Sequence, residues 1–259
     1  MSLSLKQQAI AFQTILTKEI ARFMRIWSQT ILPPVITMTL YFIIFGKLIG
    51  SQIGHVQGYS YMQYIVPGLT MMAIVTNSYS NTTSSFFLAK FTKSVEDMLV
   101  SPMPNYIIML GFMLGGTLRG LMVGISVILV SLFFTHLHIA HLGMVIVMAL
   151  LSSMVFSLGG IINGIFAKNF DDIAFIPTFV ITPLTYLGGV FYSIDQLHGF
   201  WRTLSIFNPI MEIVDTFKFG ILGVSEVNIY FGFSLVFILF IVLIIWCLRL
   251  MDKGIGLRS

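Results

Sequence analysis

Charge is what this sequence has least of. Only 9% of its 259 residues are charged, where a soluble domain carries roughly a quarter. A water-facing surface cannot be built from so few. Hydrophobic residues make up 57%, and mean hydropathy is +0.95, so most of the surface must face lipid. Cysteine is almost absent. Cys247 stands alone in the last apolar run, which excludes an internal disulfide and reads as a small apolar residue. The alternation of apolar and polar residues that a membrane β-barrel needs is missing as well. Long unbroken runs such as Phe231 to Leu248 take its place, so the spans are helices.

Recognisable catalytic motifs are lacking. There is no Gly-x4-Gly-Lys-Ser/Thr phosphate loop, no His-Glu-x-x-His, no Gly-x-Ser-x-Gly and no cysteine pair, so no catalytic residue is assigned. No row of carboxylates occupies the spans. A carrier driven by protons or sodium ordinarily places ionisable groups near mid-membrane. Here Arg119 is the one charged residue deep in an expected span. Residues 1–25 have no continuous apolar core and carry Glu19, which argues against a cleavable signal peptide. The net charge is +4, but Lys and Arg sit near span ends rather than on one basic face, so a nucleic-acid partner is not expected.

What is present reads as an all-α polytopic protein, a single transmembrane domain over 1–259. Residues 3–25 form an amphipathic helix, with Leu5, Ala9, Phe12, Leu16, Ile20, Phe23 and Trp27 recurring every three or four residues. It either lies among lipid headgroups or packs on a partner. Six spans follow, at 26–45, 61–88, 106–134, 142–166, 174–191 and 229–248. Pro33 and Pro34 should kink or break the first. Residues 46–60 read as a glycine-rich loop and 89–105 as a polar connection. Segment 192–228 is too polar to cross. Its two short apolar pieces, separated by Asn208-Pro209, are either a re-entrant hairpin or surface helices in an external loop. Ten Lys and Arg (Lys6, Lys18, Arg22, Arg25, Lys90, Lys93, Lys168, Arg249, Lys253, Arg258) fall on one side, against Lys47, Arg202 and Lys218 on the other. That asymmetry puts both termini in the cytoplasm.

Three spans carry unusual residues. The second half of span two, Thr76 to Ser85, is polar all round, and Asn77, Asn81 and Ser84 recur at helical spacing. They form either a wall of a translocation path or polar glue between helices. Thr178, Thr182, Thr185 and Tyr186 mark span five, among Pro177, Pro183, Gly188 and Gly189. The prolines can free backbone carbonyls, or the threonines can simply bond back to their own helix. Gly111, Gly115, Gly116, Gly120 and Gly124 in span three permit close helix approach. Arg119 among them can snorkel, pair with a carbonyl or face water. His136, His138 and His141 on a short loop are ordinary interfacial histidines, since a zinc site would need a fourth ligand, and no metal site is assigned.

Two stretches carry a family likeness. One is Phe91-Thr92-Lys93-Ser94-Val95-Glu96-Asp97-Met98-Leu99-Val100-Ser101-Pro102-Met103-Pro104, and the other runs from Pro183-Leu184-Thr185-Tyr186-Leu187-Gly188-Gly189-Val190-Phe191-Tyr192 on to Asn208-Pro209. With the amphipathic N-terminal helix, they make the chain resemble the permease subunit of ABC-2 type exporters over nearly its whole length. The resemblance implies a bacterial inner-membrane protein working as a homodimer, with two cytoplasmic ATPase subunits docked below and lipid around it. ATP and magnesium would bind the ATPase, and this chain would bind no cofactor. Lys93, Glu96, Asp97, Met98, Leu99 and Pro102 would belong to the coupling segment. Spans two and five would line the path, and the 192–228 hairpin, with Trp201, Asn208 and Pro209, would cap it. The substrate would be amphipathic, drug-like, or linked to lipid or polysaccharide. A six-span channel, an ion-driven carrier acting alone, or a membrane scaffold are the competing readings.

Overall fold

Helices form wherever the apolar runs are long, and glycine, proline and asparagine mark their ends. The computed structural model describes residues 3–257, so Arg258 of the basic tail lies outside the described residues. Helix α1 (Leu5–Arg25) opens with a capping box in which Ser4 and Gln7 exchange side-chain and backbone bonds. A short α2 (Trp27–Thr30) and α3 (Leu32–Tyr41) follow, with a break at Ile31. Pro33 and Pro34 sit in the first turn of α3, where a missing N–H costs nothing. A π-helical stretch, Phe42–Ile49, runs into α4 (Gly50–Ile53). The helical path thus continues past 45, because Gly46 and Gly50 pack against Met62 and Tyr61 instead of looping out.

Strands β1 (His55–Val56) and β2 (Tyr59–Ser60) pair antiparallel around Gln57-Gly58, both at positive φ as a tight hairpin turn requires. Then come α5 (Tyr61–Phe91), α6 (Ser94–Val100), α7 (Asn105–Ser131) and α8 (Leu142–Phe166). Next, α9 (Phe170–Ile176), a π-turn at Pro177–Ile181 and α10 (Thr182–Tyr186) make one interrupted helix. Helices α11 (Phe200–Ile206), α12 (Pro209–Leu222) and α13 (Ile229–Lys253) complete the order.

Among the described residues, four helical stretches are long and apolar enough to cross a bilayer: Trp27–Ile53, Asn105–Ser131, Leu142–Phe166 and Ile229–Lys253. At 1.5 Å per residue, α7 extends about 40 Å, enough for a hydrocarbon core of about 30 Å. Helix α5 is longer still, but its polar second half lowers its hydropathy. The α9–α10 stretch is shorter. Segment 192–228 holds two helices that meet at Asn208-Pro209.

Helix α5 is the axis of the molecule, with α7, α8 and α12 packed around it. One core, around Tyr64, Leu69, Met71 and Phe217, surrounds its first half. A second, around Phe86, Phe112, Ile165 and Met251, surrounds its last turns. That second core gathers both chain ends, with Ile15 of α1 and Leu257 in it, and defines a terminal end opposite the α11–α12 hairpin end. By contrast α13 leaves Phe237, Ile238, Ile241, Val242 and Ile245 exposed, and α3 with its π-stretch leaves Ile36, Leu40, Ile43, Ile44 and Leu48 exposed. Such purely aliphatic and aromatic surfaces suit hydrocarbon.

The glycines of α7 explain how the bundle closes. A Cβ at Gly120 would meet the Ser78 hydroxyl and lie 2.9 Å from the Ile74 carbonyl oxygen, both on α5. One at Gly115 would strike Glu19 of α1 at 2.6 Å. Two rows thus run along one helix: Gly116, Gly120 and Gly124 receive α5, and Gly111 and Gly115 receive α1. Helix α1 is therefore docked on α7, burying Ile15, Glu19 and Phe23.

Candidate functional site

The polar run of α5 is tolerated in an apolar setting partly because half of its groups bond to their own helix. Thr70, Thr76, Thr82 and Thr83 each donate to the carbonyl four residues back, at 2.8–3.0 Å. Asn77 Nδ2 donates to the Ala73 carbonyl at 2.9 Å, and Ser84 Oγ to that of Asn81 at 3.1 Å. These bonds remove the desolvation cost without fixing a partner helix.

Burial then divides the run. Most of α5 is enclosed, but from mid-helix onward Met72, Thr76, Asn77, Ser80, Ser84 and Leu88 stay partly or fully open. They recur about every four residues, so they form one stripe. Its centre is hydroxyl and amide. Asn77 and Ser84 lie on it, while Asn81, at helical spacing from both, sits at its edge and is fully buried.

Asn81 is the meeting point of two arginines. Its Oδ1 accepts from Arg22 Nη2 of α1 at 2.7 Å and from Arg119 Nη1 of α7 at 3.1 Å. Arg22 also reaches Glu19 Oε2 at 3.3 Å, and Ser85 Oγ donates to the same oxygen at 2.6 Å. Glu19 lies at the centre of the buried face of α1, where apolar periodicity gives no hint of a carboxylate.

In the α9–α10 stretch, Thr178 is exposed, and Thr182 Oγ1 donates to the Pro177 carbonyl at 2.9 Å across the π-turn. Thr185 is buried and bonds back to the Ile181 carbonyl. The exposed Tyr186 hydroxyl meets that of Tyr41 at 3.1 Å, tying this stretch to α3. Phe175, Phe179 and Val180 remain exposed.

At the terminal end, α6 starts from Lys93, whose φ of 61° turns the chain sharply after α5. Val95 is buried and Met98 and Leu99 pack on the second core, while Asp97, Val100 and Pro102 are exposed. Glu96 lines a cavity of about 480 Å³ with Lys90, Lys93, Phe87, Phe91 and Lys168. Lys90 Nζ donates to the carbonyls of Ile165 and Ala167, fastening the end of α5 to the end of α8.

At the hairpin end, Asn208 caps α12 by accepting from the Ile210 N–H at 3.0 Å and donates to the Leu184 carbonyl at 2.6 Å. Pro209 takes the first helical position. The Asn-Pro pair thus starts α12 and ties it to α10, while Trp201 stays exposed. A charged group missed by pattern reading lies beside them. Lys218 is buried in α12, donates to the Gly189 carbonyl at 2.5 Å and sits 3.7 Å from the Tyr64 ring centre. Tyr64 donates to Glu226 Oε1 at 2.8 Å, and Asp215 accepts from Ser225 and the N–H groups of Glu226 and Val227. Burial pushes the Lys218 pKa down to about 8, with Glu226 and Asp215 pulling it back. Burial, then Asp215, pushes Glu212 up to about 7. The sequence signal was an acid and a lysine one turn apart in an apolar helix. Gln63 bonds the backbone carbonyl of His136, and His141 stacks on Phe219. Among the described residues there is no group of three or more potential metal ligands.

The chain is a helical membrane bundle whose central helix leaves one polar stripe open, and it is a permease of the ABC-2 type transporter family, whose model matches residues 10–222. It is a transport subunit and a multi-pass protein of the bacterial inner membrane. Inner membrane transport permease YadH of Escherichia coli K12 is 53% identical over 252 residues, covering 96% of this chain and 98% of that one. Nodulation protein J of Rhizobium leguminosarum bv. viciae is 22% identical over 202 residues, 77% of this chain and 78% of its own. Its counterpart from bv. trifolii is 26% identical over 193 residues, 73% of each.

Proposed function

We propose that this chain is the membrane-spanning subunit of an ATP-driven exporter, moving an amphipathic, drug-like, or lipid- or polysaccharide-linked substrate outward. The observation that carries this reading is the open stripe on α5. A face left to lipid is aliphatic, as on α13, whereas Thr76, Asn77, Ser80 and Ser84 are polar and open. Such a face suits a path formed between two copies. Helices α5 and α9–α10 join the four apolar stretches as spans, making six. The α11–α12 hairpin re-enters from outside and caps the path, with Asn208 and Pro209 fixing its turn and Trp201 at its surface. Both termini lie in the cytoplasm.

Asn77 and Ser84, with Thr178, Thr182 and Tyr186, contact substrate, while Asn81 and Thr185 support the wall from behind. Helix α6 is the coupling element. It presents Asp97, Val100 and Pro102 to a cytoplasmic ATPase, with Lys93 and Glu96 at the rim and Met98 and Leu99 anchoring it to the bundle. ATP and magnesium act on that partner, and this chain shapes the path and transmits the movement.

The test is to co-express the chain with a candidate ATPase and reconstitute the pair in vesicles. ATP-dependent transport is expected, abolished by Glu96→Lys with Asp97→Lys and altered by Asn77→Leu without loss of assembly. Transport that persists with no ATPase present identifies a carrier acting alone and sinks the proposal.

A further inference from the structure

We infer that Arg22, Arg119 and Asn81 form a binding site for an anionic head group, a phosphate or similar oxyanion, where α1, α5 and α7 meet. The site goes beyond the transport path, since Asn81 is closed off from the open stripe of α5 and held by Arg22 and Arg119.

Charge is the first argument. Two guanidiniums converge on one neutral acceptor, Asn81 Oδ1, at 2.7 and 3.1 Å. The cluster has one carboxylate, Glu19, and its one ion pair among the described residues is with Arg22. Two cations against one anion leave a surplus positive charge. Arginine in an apolar setting is expensive unless paired, and like charges held on one atom raise the cost. An incoming anion removes both penalties.

Hydrogen-bond capacity is the second. Arg22 Nε, Arg119 Nε and Asn81 Nδ2 are buried donors with no protein partner, and Asn81 is completely enclosed. Against these three donors stands one unpartnered acceptor, Glu19 Oε1. The imbalance is the signature of a missing acceptor. A tetrahedral oxyanion offers several oxygens to planar guanidinium forks, the match for which arginine exceeds lysine.

Position is the third. Asn81 lies ten residues before the end of α5, about 15 Å along the helix from the terminal end. Arg22 comes from a helix docked at that end, and its side chain is 26% exposed. The site is therefore reached from the headgroup level of one leaflet. An amphiphile can place its head there and leave its tails in the membrane.

Melting of the purified full chain in neutral detergent, with dioleoylphosphatidylglycerol, dioleoylphosphatidylcholine or inorganic phosphate added, tests this. Phosphatidylglycerol is expected to raise the melting temperature by about 5 °C and phosphatidylcholine to leave it unchanged. A matching rise with inorganic phosphate supports the site and means that a soluble anion suffices. A rise with the lipid alone supports it and identifies a lipid head group. The near-isosteric Asn81→Asp decides the assignment, because it supplies a carboxylate from the protein itself. It is expected to raise the basal melting temperature and abolish the anion response, whatever Arg119→Gln does. A response retained in Asn81→Asp, or no anion response in the wild type, overturns the site and leaves the cluster satisfied by water.

Discussion

Lys218 and Glu212 share one helix but respond to pH in opposite directions. Glu212 carries a pKa raised from 4.5 to about 7, so the folded chain holds a proton that the unfolded chain has released. The stability it contributes is complete below pH 4.5 and is lost as pH rises through 7. The melting temperature in detergent is therefore expected to fall between pH 5 and 8, and Glu212→Gln to flatten that slope. A slope unchanged by the substitution would mean another group titrates. Lys218 is depressed from 10.5 to about 8, so its penalty is full below 8 and eases as pH climbs toward 10.5. Lys218→Met leaves Asp215 and Glu226 without their buried cation and is expected to cost about 3 kcal/mol, read as a lower midpoint in chemical unfolding. At this scale the sequence was only partly legible. The polarity of Asn77, Asn81 and Ser84 could be read, but which of them stays open depends on α1 and α7, whose placement no local pattern encodes. Glu19 was hidden for the same reason: beyond Arg22, one turn along α1, what holds it is Ser85, more than sixty residues away.

Element boundaries and helix contacts follow from glycine more than from hydropathy. The glycine rows of α7 predict unequal tolerance. Gly120→Val would press on the Ile74 carbonyl and the Ser78 hydroxyl and separate α5 from α7. A cost of about 3 kcal/mol or loss of folded protein is expected, seen as aggregation in size-exclusion chromatography. Gly143→Ala in the first turn of α8 meets nothing within 4 Å and is expected to leave that profile unchanged or slightly improve stability. Close approach in span three was readable from spacing alone. Where span one ends was not. Gly46 and Gly50 look like loop residues by composition, yet they lie in helix because Met62 and Tyr61 occupy the space a side chain would need. The double proline was readable, and the break falls at Ile31, just ahead of it.

The whole molecule exposes two kinds of surface, and only one needs lipid. Phe179 lies exposed near the polar threonines of the α9–α10 stretch, and Cys247, the other thiol in a Phe179→Cys chain, is buried. Under the two-copy reading, Phe179→Cys in native membranes is expected to cross-link into a dimer of the 29.0 kDa chain, and Ile241→Cys on α13 to remain monomeric. The reverse result would place the contact on α13. Membrane class was legible because four helical stretches announce themselves by composition, and family because of the stretches around Glu96 and around Gly188-Gly189. Two further expected spans are less plain for physical reasons: α5 dilutes its hydropathy with self-bonded hydroxyls, and the α9–α10 stretch is short. The two π-helical turns, at Phe42–Ile49 and Pro177–Ile181, each store more chain than an α-helix of equal height requires. Deleting one residue from either would restore ordinary winding there and let the helix beyond keep its facing. Among the described residues these π-turns are where a helix can lose a single residue, re-aiming the side chains within the turn while leaving the rest of the bundle where it stands.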